Sequence, residues 1–370
     1  MRTIISTVGK SLLGNASRKL QDNNLDIKKL TNFLRHGDDI KSSAESNSLS
    51  RLTENGDKLI FLHSSTEEGR LCAKSLVSYY ANKGFETEEI EIEDLDYEES
   101  QFKMRGLRFL VENIIEIIEN ERGKNRKVLI NATGGFKAEI AYATMIGLLL
   151  KVPVYYIHEV FNDIIEMPPS PINWDFSFIA EFEDFFNWIN KDLRKTDEVD
   201  IKLNDIKNKL KSNYTLKNKG VNDIRMLLAE EEGYTMLSPT GQTYFKSYKS
   251  YLYSAEKTNL LISDKARKQL KSLEPAITSE FKNIFKKLTV RELWSASAAH
   301  KKGDCLVYPQ GHKNERIFLY DNSVDNEIYI CELTRHSDDS YENMLESGVW
   351  FEDYNNFSEL SPKEIWSENN

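Results

Sequence analysis

Through its first 170 residues the chain alternates short apolar runs with segments of helical period. Thr3–Val8 (TIISTV), Lys58–His63 (KLIFLH), Thr87–Ile92 (TEEIEI), Val128–Asn131 (VLIN) and Val154–His158 (VYYIH) read as strands. Between them lie segments of helix length: Glu67–Asn82, Phe102–Glu121 and Lys137–Leu150. Strands alternating with helices predict an α/β unit with a parallel, doubly wound sheet. Such sheets bind ligands beyond the carboxyl ends of the strands, at a topological switch point. Lys137–Leu150 (KAEIAYATMIGLLL) is apolar almost all round, so it is expected deep in the unit or at a subunit interface. Met167–Pro171 (MPPSP) breaks regular structure and ends the first domain, taken as residues 1–171.

The middle, 172–254, has helical patterns at Phe176–Leu193, Ile201–Lys211 and Val221–Glu231, then GYTMLSPTGQTYFKSY. A helix, a short polar hairpin and another helix resemble a winged-helix unit. Asp223 and Glu230–Glu232 would oppose phosphates, so a connector or dimerisation element is expected ahead of a partner-binding role. The third unit, 255–348, starts a helix at the N-cap candidate Ser263-Asp264 and breaks it near Glu274-Pro275. Strands follow at Cys305–Tyr308, Arg316–Tyr320 and Glu327–Leu333, the last two joined by a turn at Asp325-Asn326. Two helices and then a sheet predict a compact α+β domain. The remainder, 349–370, is acidic and aromatic: a docking tail or a terminal helix.

Composition narrows the class. With 40% hydrophobic and 29% charged residues the chain reads as globular. Cys72, Cys305 and Cys331 fit neither a disulfide framework nor a metal pattern. No run approaches the roughly 18 apolar residues of a membrane span, and the opening MRTIISTVGK lacks the layout of a signal peptide. A cytoplasmic protein without a membrane partner is expected. The net charge of −10 argues against a surface that coats nucleic acid throughout, yet Lys257–Arg316 holds 13 Lys/Arg against 6 Asp/Glu. One basic face on an acidic molecule is therefore expected.

Two glycine-bearing turns each follow a strand: STVGKSLLGN (Ser6–Asn15) and NATGGFKAE (Asn131–Glu139). Each offers backbone N–H groups, hydroxyls and a lysine at a strand end opening a helix, which suits phosphates. Neither is a Walker loop or a G-x-G-x-x-G turn, and singly each reads more often as a tight strand–helix junction. Together, ISTVGKSLL and VLINATGGFKAEIAYA resemble the signature turns of CARF domains, the sensors of type III CRISPR systems. The resemblance extends to VPVYYIHEVFNDIIEMPPSP and implies a Rossmann-like, homodimeric domain that binds a cyclic oligoadenylate, cyclic tetra-adenylate foremost, across the dimer axis. It assigns Thr7, Gly9, Lys10 and Ser11 to the first turn and Thr133, Gly134, Gly135 and Lys137 to the second, with Ser64 and Ser65 as further pocket candidates. Some members cleave their ligand, for which Ser11 and Lys137 would be suited; the residues leave that open.

In the last unit, SDKARKQLKSL…FKNIFKKL, ERIFLYDNSVDNEIYICEL and TRHSDDSYENML, in that order, resemble the RelE/ParE toxin family. The family's helical pair precedes a sheet that positions an mRNA in the ribosomal A site. The resemblance assigns Arg316 to the arginine opening the third strand, Arg335 to the basic position after the last strand and Tyr341 to the catalytic tyrosine. The family's lysines on the second strand are absent from CLVYPQGHKN until Lys313, so acid/base and charge duties pass to His312, Lys313, His300, Lys301 or Lys302. Metal-free RNA cleavage needs only an in-line 2′-OH, a stabilised phosphorane and a protonated leaving oxygen, which Arg, Lys, His and Tyr supply. No HEPN motif, PD…E-x-K core or metal-ligand spacing is present, and no cofactor or metal is called for. The expected whole is a ligand-activated endoribonuclease acting on mRNA at the ribosome. A DNA-binding regulator, or a non-catalytic poison under the same sensor, is the alternative.

Overall fold

The computed structural model describes residues 1–96, 102–158, 163–169, 174–210, 220–294, 299–309 and 313–366, with the backbone alone at 104 and 299–302. The chain divides into two units: Met1–Trp174 with Leu227–Lys246, and Asp175–Met226 with Ser247–Asn370. The expected first boundary, residue 171, lies outside the described residues. The hairpin of the expected connector groups with the first unit and its preceding helices with the second.

In the first unit β1 (Arg2–Val8), β2 (Lys58–Ser64), β3 (Glu86–Ile92), β4 (Lys127–Asn131), β5 (Val154–Tyr156) and β6 (Ile165–Met167) form one sheet in the order β3-β2-β1-β4-β5-β6. All pairings are parallel except β5 with β6. This is the doubly wound, Rossmann-like sheet that the strand–helix alternation predicts. The central strands are buried on both faces, Ile5 and Ile130 on one and Ile4 and Phe61 on the other. Such strands read as unbroken apolar runs, which is why they stand out in the sequence.

Helices α1 (Ser11–Leu20), α2 (Ile27–His36), α3 (Ala44–Leu52) and α4 (Glu67–Asn82) follow β1 and β2, while α5 (Leu107–Gly123) and α6 (Lys137–Leu149) flank β4. Both α2 and α3 went unmarked by the apolar pattern. Asp26 caps α2, and Ser43 and Ser46 form a reciprocal capping box on α3. Helix α3 buries Glu45, Ser46, Asn47 and Ser48 beside Leu49 and Leu52, so its inner face is largely polar. Helix α6 buries Ala143, Ile146 and Gly147 and leaves Met145, Leu148 and Leu149 half-covered.

The expected helix Val221–Glu231 stops at Met226. Beyond it Leu228–Glu231 pairs with Tyr234–Leu237 in an antiparallel hairpin. Glu232 and Gly233 both take positive φ, 52° and 78°, the backbone of a two-residue type I′ turn, and that turn closes the hairpin.

In the second unit a mixed sheet contains β7 (Asn259–Ile262), β8 (Ala299–Lys302), β9 (Cys305–Tyr308), β10 (Glu315–Asn322), β11 (Glu327–Arg335) and β12 (Ser358–Glu359), ordered β8-β9-β10-β11-β7-β12. Strand β7, absent from the sequence reading, lies parallel to β11. The expected helix break is present: Asp264–Ser272, capped by the Ser263 hydroxyl, then Pro275–Leu288. These helices cover one face of the sheet, with Ile262, Phe281, Phe285, Ile317 and Ile330 in the core. The acidic aromatic segment joins the fold. Phe351 stacks on Tyr320 at 4.4 Å, Tyr354 donates to Glu332 at 2.6 Å and β12 pairs with β7.

Ile5→Ala should cost about 2–5 kcal/mol, because its side chain sits fully buried in the central strand of the first sheet. Chemical denaturation followed by circular dichroism checks this; an unchanged midpoint would contradict the packing described.

Candidate functional site

The strand order reverses direction around β1, with β2 on one side and β4 on the other. Ser6 pairs with Asn131 and Val8 with His63, so the three strands end together. Both glycine turns therefore emerge side by side at the switch point, where open α/β sheets take their ligands. A cavity of about 280 Å3 lies there, lined by Val8, Gly9, Lys10, Ser64, Gly69, Gly135 and Phe136.

The turns are held by their own side chains. The Thr7 hydroxyl donates to Gly134 O. Thr133 Oγ1 donates to Asn131 Oδ1 at 2.8 Å and accepts from the Ile157 N–H at 3.3 Å. Asn131 Nδ2 in turn donates to Ser6 Oγ at 2.9 Å. Gly135 has φ +100°, and a Cβ on it would lie 2.3 Å from Glu139 Oε2. Glycine is required there by conformation and by space.

Of the ten candidate pocket residues, Gly9, Lys10, Ser64 and Gly135 line the cavity. Thr7, Thr133 and Gly134 face inward and fasten the turns. Ser11 also faces inward, accepting from the Ala44 N–H at 2.9 Å. The Ser65 N–H donates to Leu95 O at 3.1 Å, while Lys137 is exposed at the first position of α6. Lys10, 45% exposed, has its Nζ 3.8 Å from Glu68.

Two residues unmarked in the sequence reading, Glu45 and Glu139, lie fully buried beneath the turns. Gly9 N–H donates to Glu45 Oε1 at 2.7 Å, so that donor serves the protein rather than opening to the cavity. Burial pushes the Glu45 carboxyl up, with the Gly9 N–H acting against the shift. Burial pushes Glu139 up to about 8; its bond from the Phe136 N–H opposes the shift and Glu45 adds to it. Glu139 Oε1 has no hydrogen-bond partner among the described residues. The Glu at the third position of α6 is a capping signal readable in the sequence; nothing in the polar run around Glu45 marks it as core.

In the second unit the candidate cations separate. Arg316 is buried, its Nη1 donating to Lys313 O and, at 2.9 Å, to Glu315 O. Lys313 Nζ lies 2.7 Å from Asp184 and 3.0 Å from Glu280. Burial works against its charge, but those two carboxylates more than offset it and hold the amine above its usual range. Around them, burial raises Glu181 to about 7 against the pull of Lys287, Lys313 and Arg316. Glu183 is held at about 2, its burial outweighed by Lys287 and Lys249. Lys313 and Arg316 thus sit in an interior network with acids from Phe176–Glu181, Glu183–Lys191 and Pro275–Leu288.

Arg335, by contrast, is partly exposed, its Nε 4.0 Å from Glu315. Its neighbour His336 is exposed and lies 5.2 Å from the Tyr341 ring, centroid to centroid. Tyr341 packs its ring near Phe318, Cys331 and Val349. His336 and Tyr341 therefore lie together just beyond the end of β11, the strand that Arg335 closes. His312 lies outside the described residues, as do the side chains of His300, Lys301 and Lys302.

Glu139 makes a pH dependence testable. Folded, it stays protonated until about pH 8; unfolded, it ionises near 4.5. Its stabilising share is complete below pH 4.5 and is lost as pH rises through 8. Glu139→Gln should remove that loss, leaving the variant at least about 2 °C higher in Tm than the parent near pH 8 and similar near pH 4.5. Equal pH profiles of thermal unfolding would contradict it.

Residues 40–170 match the sequence model of the CRISPR-associated protein family Cas_APE2256. Among solved structures, the chain is 14% identical to Can2 from Sulfobacillus thermosulfidooxidans, solved in complex with cyclic tetra-adenylate, over 94% of this chain and 84% of that one, with a TM-score of 0.25. It is 11% identical to protein VC1899 from Vibrio cholerae over 93% and 83%, also with a TM-score of 0.25.

Proposed function

We propose that residues 1–171 are a CARF-type sensor of cyclic oligoadenylate, cyclic tetra-adenylate foremost, and that residues 255–348 are a RelE-like endoribonuclease which the bound ligand activates. The observation that carries the sensor half is the convergence of both glycine turns on one cavity at the switch point. The match of residues 40–170 to a CRISPR-associated family supports it. Lys10 and Lys137 supply cationic charge at the two turns, and two-fold repetition in a homodimer would present each twice to a cyclic ligand. The protein would act in the cytoplasm, in type III CRISPR defence.

For the effector, the His336–Tyr341 pair beside the strand end that Arg335 closes favours metal-free cleavage of ribosome-bound mRNA. The guanidinium would stabilise the equatorial phosphorane oxygens and Tyr341 would orient the 2′-OH. Lys313 and Arg316, neutralised in the interior, would shape the sheet end rather than touch RNA. That burial favours a second reading, in which the effector binds its target without cutting RNA. Residues 172–254 would connect the two functions.

RNA integrity in a translation extract, with and without cyclic tetra-adenylate, tests both readings. The first expects cleavage of ribosome-bound mRNA only with ligand, slowed about 100- to 1,000-fold by Arg335→Ala. Translation arrest with intact mRNA would establish the second. Lys137→Ala should weaken the ligand about 10–100-fold, the equivalent of one charge-assisted phosphate contact; unchanged affinity would remove Lys137 from the pocket.

A further inference from the structure

Helix α3 reaches both glycine turns through the Glu45 side chain. Glu45 is 0% exposed and its two carboxyl oxygens serve different partners. Oε1 accepts from Gly9 N–H at 2.7 Å, while Oε2 accepts from the Ser11 hydroxyl at 3.3 Å. Ser11 Oγ also accepts from the Ala44 N–H at 2.9 Å, so the first turn and the start of α3 are tied in both directions. The same Oε1 touches the second turn. A Cβ on Gly134 would lie 1.9 Å from it, so the absence of a side chain there is what lets the carboxyl in. From the other side, Thr7 of β1 donates to Gly134 O. One carboxyl group is thus wedged between the turn that carries Lys10 and the turn that carries Lys137.

A buried carboxyl is costly unless its oxygens are satisfied. A helix whose inner face is polar where an apolar one would pack more simply therefore calls for a reason. Dispersion contacts would fill the space but would not fix the spacing of two backbone segments; directional hydrogen bonds do.

We infer that Glu45 is a positioning residue of the ligand pocket, setting the distance between the Gly9–Ser11 turn and the Gly134–Gly135 turn so that Lys10 and Gly135 face one anion together. This rests on the cyclic oligoadenylate reading for the ligand, but the spacing itself is a property of the protein alone.

Three substitutions separate the roles. Glu45→Gln keeps an oxygen for Gly9 N–H and an amide for Ser11. Glu45→Asp shortens the reach by one methylene, and Glu45→Ala removes it. Leu49→Ala, on the same helix and fully buried, is the control for loss of packing. Affinity for cyclic tetra-adenylate is measured by calorimetry on the full chain, beside hydrogen exchange of peptides 6–15 and 131–140 without ligand. The expected result is 10–100-fold weaker binding in Glu45→Ala and Glu45→Asp, within threefold of the parent in Glu45→Gln and Leu49→Ala. Exchange in both peptides should rise together in the first two variants only. If the parent binds no cyclic tetra-adenylate and both peptides still loosen together, the positioning role stands and the ligand reading falls. If the parent binds and Glu45→Ala binds equally well, or if only one turn loosens, the positioning role is overturned.

Discussion

The cavity at the switch point depends on the parallel pairing of β1 with β4. That register sets Ser6 opposite Asn131, and everything at the switch point follows from it. Two strands distant in sequence end at the same level, so each delivers its turn and its helix to the same edge. Hydrogen bonds from Thr7 to Gly134 and from Asn131 to Ser6 then lock the pair at short range. The glycines act here by what they lack. Gly134 leaves space for a carboxyl group and Gly135 accepts a positive φ over another. The turns are thereby built from inside, with acidic groups beneath them and the lysines above.

The parts of this arrangement that were legible in the sequence are those with a strong period. TIISTV, KLIFLH and VLIN are buried on both faces and read as unbroken apolar runs; the glycine turns follow the first and the last of them directly. Helix α3 was not legible because its inner face carries Glu45, Ser46, Asn47 and Ser48, and burial of polar residues leaves no apolar period. For Glu45 the partners that accompany burial are the two turns, one of them distant in sequence. Strand β7 was too short to distinguish from a loop, and the first strand of the expected hairpin, Leu228–Glu231, was hidden by a helical pattern that the Glu232-Gly233 turn overrides.

In the second unit the residue types of the candidate site were apparent, but their partners were not. Lys313 and Arg316 belong to a run rich in basic residues, which reads as a surface for RNA. Glu280 lies within the same run, but the other acids that face them, Asp184 and Glu181, lie over a hundred positions earlier in an aromatic helix pair. Pairing of that kind leaves no local mark. The part of the basic run that stays accessible is accordingly smaller than its composition suggests. Arg335 and His336 remain at the sheet end, with Tyr341 seated against the core through its ring.

The central claim is that the two turns form one half of a site for a ring of linked phosphates, completed by a second copy of the chain. Calorimetric titration of the full chain with cyclic tetra-adenylate, set beside linear tetra-adenylate, tests it most directly. The account predicts saturation at one ring for every two chains, with the linear form bound far more weakly. Absence of binding heat, or equal binding of the linear form at one per chain, would contradict it.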